Sequence, residues 1–331
     1  MTALDGSGAQ TVSGCLTHTG AVGDFILSLV IVASLREHLR SLRPDAAIEI
    51  EVLGHADRAS VAVGRAGVDA VTSLERLPVH TMFGEAGPVN PSCSAYFARF
   101  ELIVNMAAPE DAAFTQHLCE TTPGRVVTID PTPRSVTRHV TEGWLEDLRA
   151  AGITPSLEPP RIVFADEERR RARRRLCDTA REDDAPIILL HPGSGGRRKC
   201  WPVEQFAGLG EALRRDGLRP IFMLGPVESD LHGEALASHL DAVAPVLAES
   251  DLIQAAGTIA AADAYVGNDA GMTHVAAAAG TPTTAIFGPT DPIVWRPLGE
   301  HVTVIRGRPA GTFDGITVAS VRGAIVASVG L

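Results

Sequence analysis

The sequence predicts an α/β protein made of two Rossmann-like domains facing a central cleft. Three observations lead there. Short apolar runs of strand length alternate with helical periodicities along the chain, the pattern of parallel sheets covered by helices on both faces. A Pro-rich stretch, TPSLEPPR from Thr154 to Arg161, divides that alternation in two and reads as a linker. The length of 331 residues suits two domains, at roughly 100–200 residues each.

In the first half, an apolar strand from Thr11 to Thr17 leads through His18-Thr19-Gly20-Ala21-Val22-Gly23 into a helix from Asp24 to Leu42. Ile26, Leu27, Val30, Ile31, Leu35 and Leu39 recur there at helical spacing. A strand at Ile48 to Leu53 and a short helix at Asp57 to Ala66 follow. Residues 78–95, rich in Gly, Pro and Ser, read as loop. Strands are expected at Leu102 to Asn105 and Val126 to Asp130, then a helix from Val140 to Ala151 stopped by Gly152.

In the second half, Arg169 to Cys177 is a basic helix and Ile187 to Leu190 a buried strand. Pro202 opens a helix that ends before Gly217, the expected placement of those two residue types. Strands are then read at Pro220 to Leu224, Ala264 to Val266, Thr284 to Phe287 and Val302 to Ile305. Helices are read at Leu231 to Leu240, Leu252 to Ala262, Thr273 to Ala279 and, at the end, Thr317 to Val329.

Composition excludes several classes. With 29 basic against 40 acidic residues, the net charge of −11 argues against sequence-independent nucleic-acid binding, which needs a basic footprint. Cys15, Cys93, Cys119, Cys177 and Cys200 are odd in number and form no C-x-x-C pair. That speaks for a reducing cytoplasm over a disulfide framework or zinc knuckle. The opening MTALDGSGAQ lacks the pattern of a signal peptide. The apolar run Phe25 to Leu35 is too short to span a bilayer, which takes about 20 residues.

The common nucleotide motifs are missing. Gly20-Ala-Val-Gly23 lacks the third glycine of G-x-G-x-x-G, and a phosphate loop counted from Gly193 fails at Arg198 and Cys200. What remains is anion binding by other glycine-rich turns at helix N-termini. His191-Pro-Gly-Ser-Gly-Gly-Arg-Arg-Lys-Cys-Trp-Pro202 lies between a strand and a helix and suits a pyrophosphate. Its glycines admit close approach, Ser194 adds a hydroxyl, and Lys199 adds a point charge. Lys199 is also the only lysine in a chain otherwise furnished with arginine, and the two cations are not interchangeable. Gly267-Asn-Asp-Ala-Gly-Met-Thr-His274 again follows a strand and precedes a helix. There Asp269 and Thr273 either cap the helix or, with His274, face a donor phosphate. Phe287-Gly-Pro-Thr-Asp-Pro292 forms a further turn at a strand end, where ligands gather in open α/β sheets. Asp24, after the first strand, is an N-cap or a general base. The histidines are scattered, and no metal cluster is read from the sequence.

Together HPGSGGRRKCWPVEQFAGL, LGPVESD, AADAYVGNDAGMTHVAAAAGTPTTAIFGPTDP and GAVGDFILSLV resemble glycosyltransferase family 9, the ADP-heptose:lipopolysaccharide heptosyltransferases. The resemblance implies a GT-B fold. Residues 1–160 would bind the acceptor, 161–311 would bind the nucleotide-sugar donor, and a terminal helix over 312–331 would cross back to the N-terminal domain. It also implies inverting, metal-independent transfer with no cofactor, the nucleotide sugar (ADP-heptose first) being a substrate. Asp24 would be the base, while Lys199, Ser194 and Gly195 would contact the diphosphate. Asp269, Ala270, Gly271, Met272 and His274 would line the phosphate and sugar, and Glu228 would bond the ribose. Ala270 replaces the Ser or Thr common in that motif, which removes one side-chain hydrogen bond to the donor.

The acceptor is a glycan or a small molecule. Residues 1–160 hold 11 Arg and no Lys against 19 Asp plus Glu, which argues against a heavily anionic acceptor. Arg134 and Arg138, with His139, are the candidate acceptor clamp. The run Arg169 to Arg175, preceded by Glu167 and Glu168, reads as a solvated face, with peripheral contact to an anionic membrane as the alternative. Competing readings are a GT-B transferase with another nucleotide sugar or a small soluble acceptor, and a catalytically idle nucleotide-sugar-binding protein.

Overall fold

A computed structural model of the protein describes residues 10–84, 88–180, 185–225 and 235–330. The chain divides into two compact units. One runs up to Ser135 and adds Val140–Glu158; the other joins Val136–His139 to the chain from Pro159 onward.

The first unit has strands β1 (Thr11–His18), β2 (Ala47–Gly54), β3 (Ala70–Ser73), β4 (Leu102–Asn105) and β5 (Arg125–Thr128). They form one parallel sheet in the order β3-β2-β1-β4-β5. Its helices are α1 (Val22–Leu42), α2 (Ala56–Ala59), α3 (Pro91–Phe97), α4 (Ala112–Thr121) and α5 (Val140–Ala150). All of β4 and the last five residues of β1 are buried, as the central strands of a sheet covered on both sides must be. α1 buries Phe25, Ile26, Leu27, Leu29, Val30, Ile31, Leu35 and Leu39.

Three stretches differ from the sequence reading. Residues 78–95, expected as loop, contain a 3-10 turn at Val79–Met82 and the start of α3. Asn90 caps α3 by accepting the Ser92 N–H at 2.9 Å, Pro91 fills the first turn, and Cys93, Tyr96 and Phe97 are buried. That is a helix-start signature hidden within a loop-like composition. β3 and α4 go beyond the sequence reading; Asp111 opens α4 by accepting the Phe114 N–H at 2.7 Å. The helix expected over Asp57 to Ala66 is only α2, followed by a 3-10 turn at Ser60–Ala62.

The second unit has strands β6 (Ile187–His191), β7 (Arg219–Leu224), β8 (Val246–Ala248), β9 (Ala264–Asn268), β10 (Thr283–Phe287) and β11 (Val302–Arg306). The parallel order is β11-β10-β9-β6-β7-β8. Its helices include α6 (Asp166–Ala180), α7 (Val203–Arg215), α8 (Leu252–Ala260), α9 (Gly271–Ala278), α10 (Pro292–Trp295) and α11 (Val318–Ser328). α7 stops at Gly217, whose φ of +77° favours glycine. Of the helix expected at Leu231 to Leu240, residues 231–234 lie outside the described residues, and 235–241 are helical.

The terminal helix, expected to cross back to the N-terminal domain, belongs to the second unit. It packs on α7: Val321 and Ile325 are fully buried in that unit's core, and Arg322 makes a two-pronged pair with Asp216, both bonds at 2.5 Å. Its apolar stripe has a partner there, which is reason enough for its position. On α6, Arg170 and Arg174 pair with Glu167, Arg173 with Asp263 and Arg175 with Glu249. Much of that basic run is therefore engaged within the protein. Among the described residues no helix is long and apolar enough to cross a membrane.

In each sheet the strand order reverses once, between β1 and β4 in the first unit and between β6 and β9 in the second. Ligands of doubly wound sheets sit at this switch point, outside the carboxyl ends of the strands.

Candidate active site

The second unit's switch point is where the turns singled out in the sequence meet. Lys199, after β6, places Nζ 3.0 Å from Asp269 Oδ2, after β9. Ser194 Oγ donates to the Asp269 backbone carbonyl at 2.8 Å. Thr290, in the turn after β10, donates to the same Asp269 Oδ2 at 2.7 Å. Asp269 is 7 % exposed while Lys199 is 42 % exposed, so the carboxylate is a buried anchor and the ammonium sits on the open side. Lysine has three N–H donors, and Asp269 engages one of them.

Asn268, fully buried at the end of β9, shapes the loop that follows β6. Its Nδ2 donates to the Pro192 and Gly193 carbonyls at 2.8 and 3.3 Å, and its Oδ1 accepts the Trp201 N–H at 2.9 Å. Both ends of the 192–201 loop are thereby tied to the neighbouring strand. Gly195 and Gly196 lie inside that loop without left-handed backbone, and among the described residues a Cβ at either would meet no atom within 4 Å. Neither packing nor conformation demands glycine there. The open space at their Cβ positions leaves room for an anion to approach the backbone there.

Asp269 and Thr273 do not cap the following helix. The N-cap of α9 is Ala270, with no side-chain hydrogen bond to the first turn. The Asp269 carboxylate is taken by Lys199 and Thr290, and Thr273 Oγ1 donates to the Asn268 carbonyl at 2.6 Å. The helix starts earlier than expected, and Gly271 and Met272, half-buried in its first turn, lack a side-chain acceptor from the cap. A helix N-terminus in that condition attracts an anion.

His274 stands in the same turn, 5 % exposed, and its buried Nδ1 has no hydrogen-bond partner among the described residues. Burial pushes its pKa down to about 4; Asp269 opposes that shift, and His139 and Lys199 add to it. It is a neutral imidazole at neutral pH. Glu228 lies outside the described residues.

In the first unit, Asp24 lies one turn into α1, after β1. The helix begins at Val22, with Ala21 as N-cap, so Asp24 is at the third helical position and not at the cap. Its Oδ2 accepts the Ala21 N–H at 3.1 Å, which fixes the side chain against the β1–α1 turn. Beside it His18, 4 % exposed, packs edge-on against Phe25 at 5.6 Å between ring centroids. Burial, with Arg58 and His55 contributing, lowers the His18 pKa to about 4. A Cβ on Gly20 would come within 2.8 Å of the His18 ring and 2.9 Å of Asp24 Cβ, so only glycine lets the turn pass between them. Arg58 Nη1 donates to the Gly20 carbonyl at 2.8 Å and holds the turn from α2.

The residues of the expected acceptor clamp are divided between the two units. Arg134 belongs to the first unit and pairs with Asp147 through two bonds of 2.7 and 2.6 Å, which raise its pKa further. Arg138 and His139 belong to the second unit, where His139 Nε2 meets the Arg296 carbonyl at 2.9 Å. Among the described residues, no group of three or more His, Cys, Asp or Glu side chains is placed to hold a metal ion. Asn268 and Thr290 escape the sequence reading. Their signals are an Asn closing an apolar strand, and a hydroxyl in a Pro-Thr-Asp-Pro turn at a strand end.

Residues 154–313 match the profile of glycosyltransferase family 9 (heptosyltransferase). Lipopolysaccharide heptosyltransferase 2 of Salmonella typhimurium is 33% identical over 190 residues, 55% of this chain and 53% of that one. Lipooligosaccharide heptosyltransferase 2 of Haemophilus influenzae is 32% identical over 181 residues, 53% and 52% of the two chains. The matched stretch thus spans about half the length of these curated relatives. The fold likeness is wider. A family 9 glycosyl transferase of Veillonella parvula superposes with a TM-score of 0.73 at 18% identity, over 96% of this chain and 97% of that one. The ADP-heptose lps heptosyltransferase II of E. coli gives 0.70 at 20% identity, over 96% and 98%. The two parallel-sheet units are the α/β domains of a GT-B fold, and residues 154–313 are similar to glycosyltransferase family 9.

Proposed function

We propose that the protein is a glycosyltransferase that moves a heptose from ADP-heptose onto an acceptor hydroxyl in a single, inverting displacement. The observation that carries this reading is the meeting of Lys199, Ser194 and the uncapped start of α9 around Asp269. In the reaction an acceptor oxygen forms a bond to the anomeric carbon as the bond to the diphosphate breaks, and negative charge grows on the departing nucleotide. Lys199 and the amides of Gly195, Gly271 and Met272 meet that charge, while the Ser194 hydroxyl, donating to the Asp269 carbonyl, holds the turn. A preorganised donor of this kind contributes about 3–4 kcal/mol to the transition state. Asp24 takes the acceptor proton; it is a weak base at neutral pH but effective when the proton leaves late. His274 stays neutral and adds no competing charge beside the sugar.

A small or weakly charged acceptor is the second reading. It is favoured by the engagement of first-unit arginines within the protein: Arg36 with Asp69, Arg99 with Glu51 and Arg134 with Asp147. A cytoplasmic setting, the source of nucleotide sugars, belongs to both readings.

Thermal shift with ADP, UDP and GDP tests the donor: selective stabilisation by ADP is expected, and a preference for UDP or GDP would refute the ADP donor. Asp24→Asn is expected to retain the ADP shift and to lose donor turnover by about 10²–10⁴-fold. Unchanged turnover would remove Asp24 from the mechanism, and no turnover by the native protein with glycan or small-molecule acceptors would point to an idle binder.

A further inference from the structure

Asp269 is an odd residue to meet a diphosphate directly, because two anions repel. Its carboxylate is 7 % exposed, and Oδ2 already accepts from two donors, Lys199 Nζ at 3.0 Å and Thr290 Oγ1 at 2.7 Å. Its main-chain carbonyl accepts from Ser194. The residue therefore links the turns after β6, β9 and β10. Thr290 is held firmly enough to act within that link. It lies between Gly288, where a Cβ would fall 2.5 Å from the Phe313 ring, and Asp291, which caps α10 by accepting the Ile293 N–H at 2.9 Å.

An isolated Lys–Asp pair has a defect as an anion trap: the carboxylate competes with the ligand for the ammonium. A hydroxyl on the same oxygen takes up part of its acceptor capacity and fixes the direction of its remaining lone pair. The ammonium is then held in one place by one hydrogen bond, with its other N–H groups turned outward.

We infer that Thr290 is a positioning residue for Lys199: its hydroxyl, through Asp269 Oδ2, sets where the lone ammonium stands and how much of it is offered to the leaving diphosphate. The catalytic part of this inference rests on the glycosyl-transfer reading, whereas the positioning part stands on the geometry alone.

The sequence offers a direct probe, since Lys199 is the only lysine in the chain. Protein labelled with Nζ-¹⁵N lysine gives one side-chain signal. Thr290→Val is expected to move that signal, and Thr290→Ser, which keeps the hydroxyl, is expected to leave it in place. In donor turnover, Thr290→Val should lower kcat about tenfold with little change in KM for the donor, because the interaction matters most as charge develops. Thr290→Ser should recover most of that loss. In a Lys199→Ala background, Thr290→Val should cost nothing more. An unmoved signal in a folded Thr290→Val protein overturns the inference, as does an additive loss in the double variant. If Thr290→Val does not fold, Thr290→Ala carries the same test. If the native protein turns over no donor, the transfer reading falls, and the lysine signal alone still decides the positioning claim.

Discussion

Lys199 and Asp269 stand 70 positions apart in sequence and 3.0 Å apart in space, and this pairing revises what each residue does. Read locally, an aspartate before a helix is a cap. In the folded chain its carboxylate faces sideways to a lysine and a threonine, and the helix start is left to backbone amides. Gly195 shows the opposite relation between sequence and site. Nothing described in the fold requires glycine at that position, since an added Cβ meets no atom within 4 Å. Gly195→Ala should therefore keep the native melting temperature while weakening ADP binding about tenfold, the effect of losing roughly one good hydrogen bond. Calorimetry with ADP measures it. Equal affinity in the two proteins would place the diphosphate elsewhere.

At the scale of elements, local pattern succeeded wherever a strand is buried on both faces. β4, β6, β9 and β10 are continuous apolar or small-residue runs, and each is buried along its whole length. It failed where composition masked a start signal, as at α3, and where an exposed edge strand such as β3 lacks an apolar run. The terminal helix illustrates a third case. Its apolar positions were legible, but the surface that covers them was not. Val321 and Ile325 are both fully buried against α7 and its neighbours. Ile325→Ala should destabilise the second unit by about 2–4 kcal/mol, the usual penalty for a large-to-small change in a core. A lower denaturant midpoint with unchanged slope is the expected result. A change below about 0.5 kcal/mol would mean that the helix is not docked as described.

At the scale of the whole molecule, each unit buries a histidine near its candidate site whose pKa is lowered, His18 in the first and His274 in the second. His18 and His274 both have pKa values lowered from 6.5 to about 4, chiefly by burial. Above pH 6.5 the ring is neutral in the folded and unfolded chain alike, and stability is unaffected. Between pH 6.5 and about 4 the unfolded chain binds a proton that the native one refuses, so stability falls. Below about pH 4 the loss is complete. It is on the order of 3 kcal/mol for each histidine. Chemical denaturation from pH 7 to pH 4 should show this decline, and His274→Gln should flatten its share. A profile no flatter in the variant than in the native protein would contradict the burial of a neutral ring.

The amino-acid sequence by itself determined the alternation of strand and helix, the division near the Pro-rich stretch, and the glycine-rich turns at strand ends. These are local properties: side-chain period, φ preference and the presence or absence of an N–H act over a few residues. Only the tertiary structure decided which turns share a carboxylate, which arginines are already paired, and which surface receives the last helix. Those outcomes depend on strand order, which sets β9 beside β6 and β10 beside β9, and no local pattern encodes which distant residue will supply the other half of a hydrogen bond.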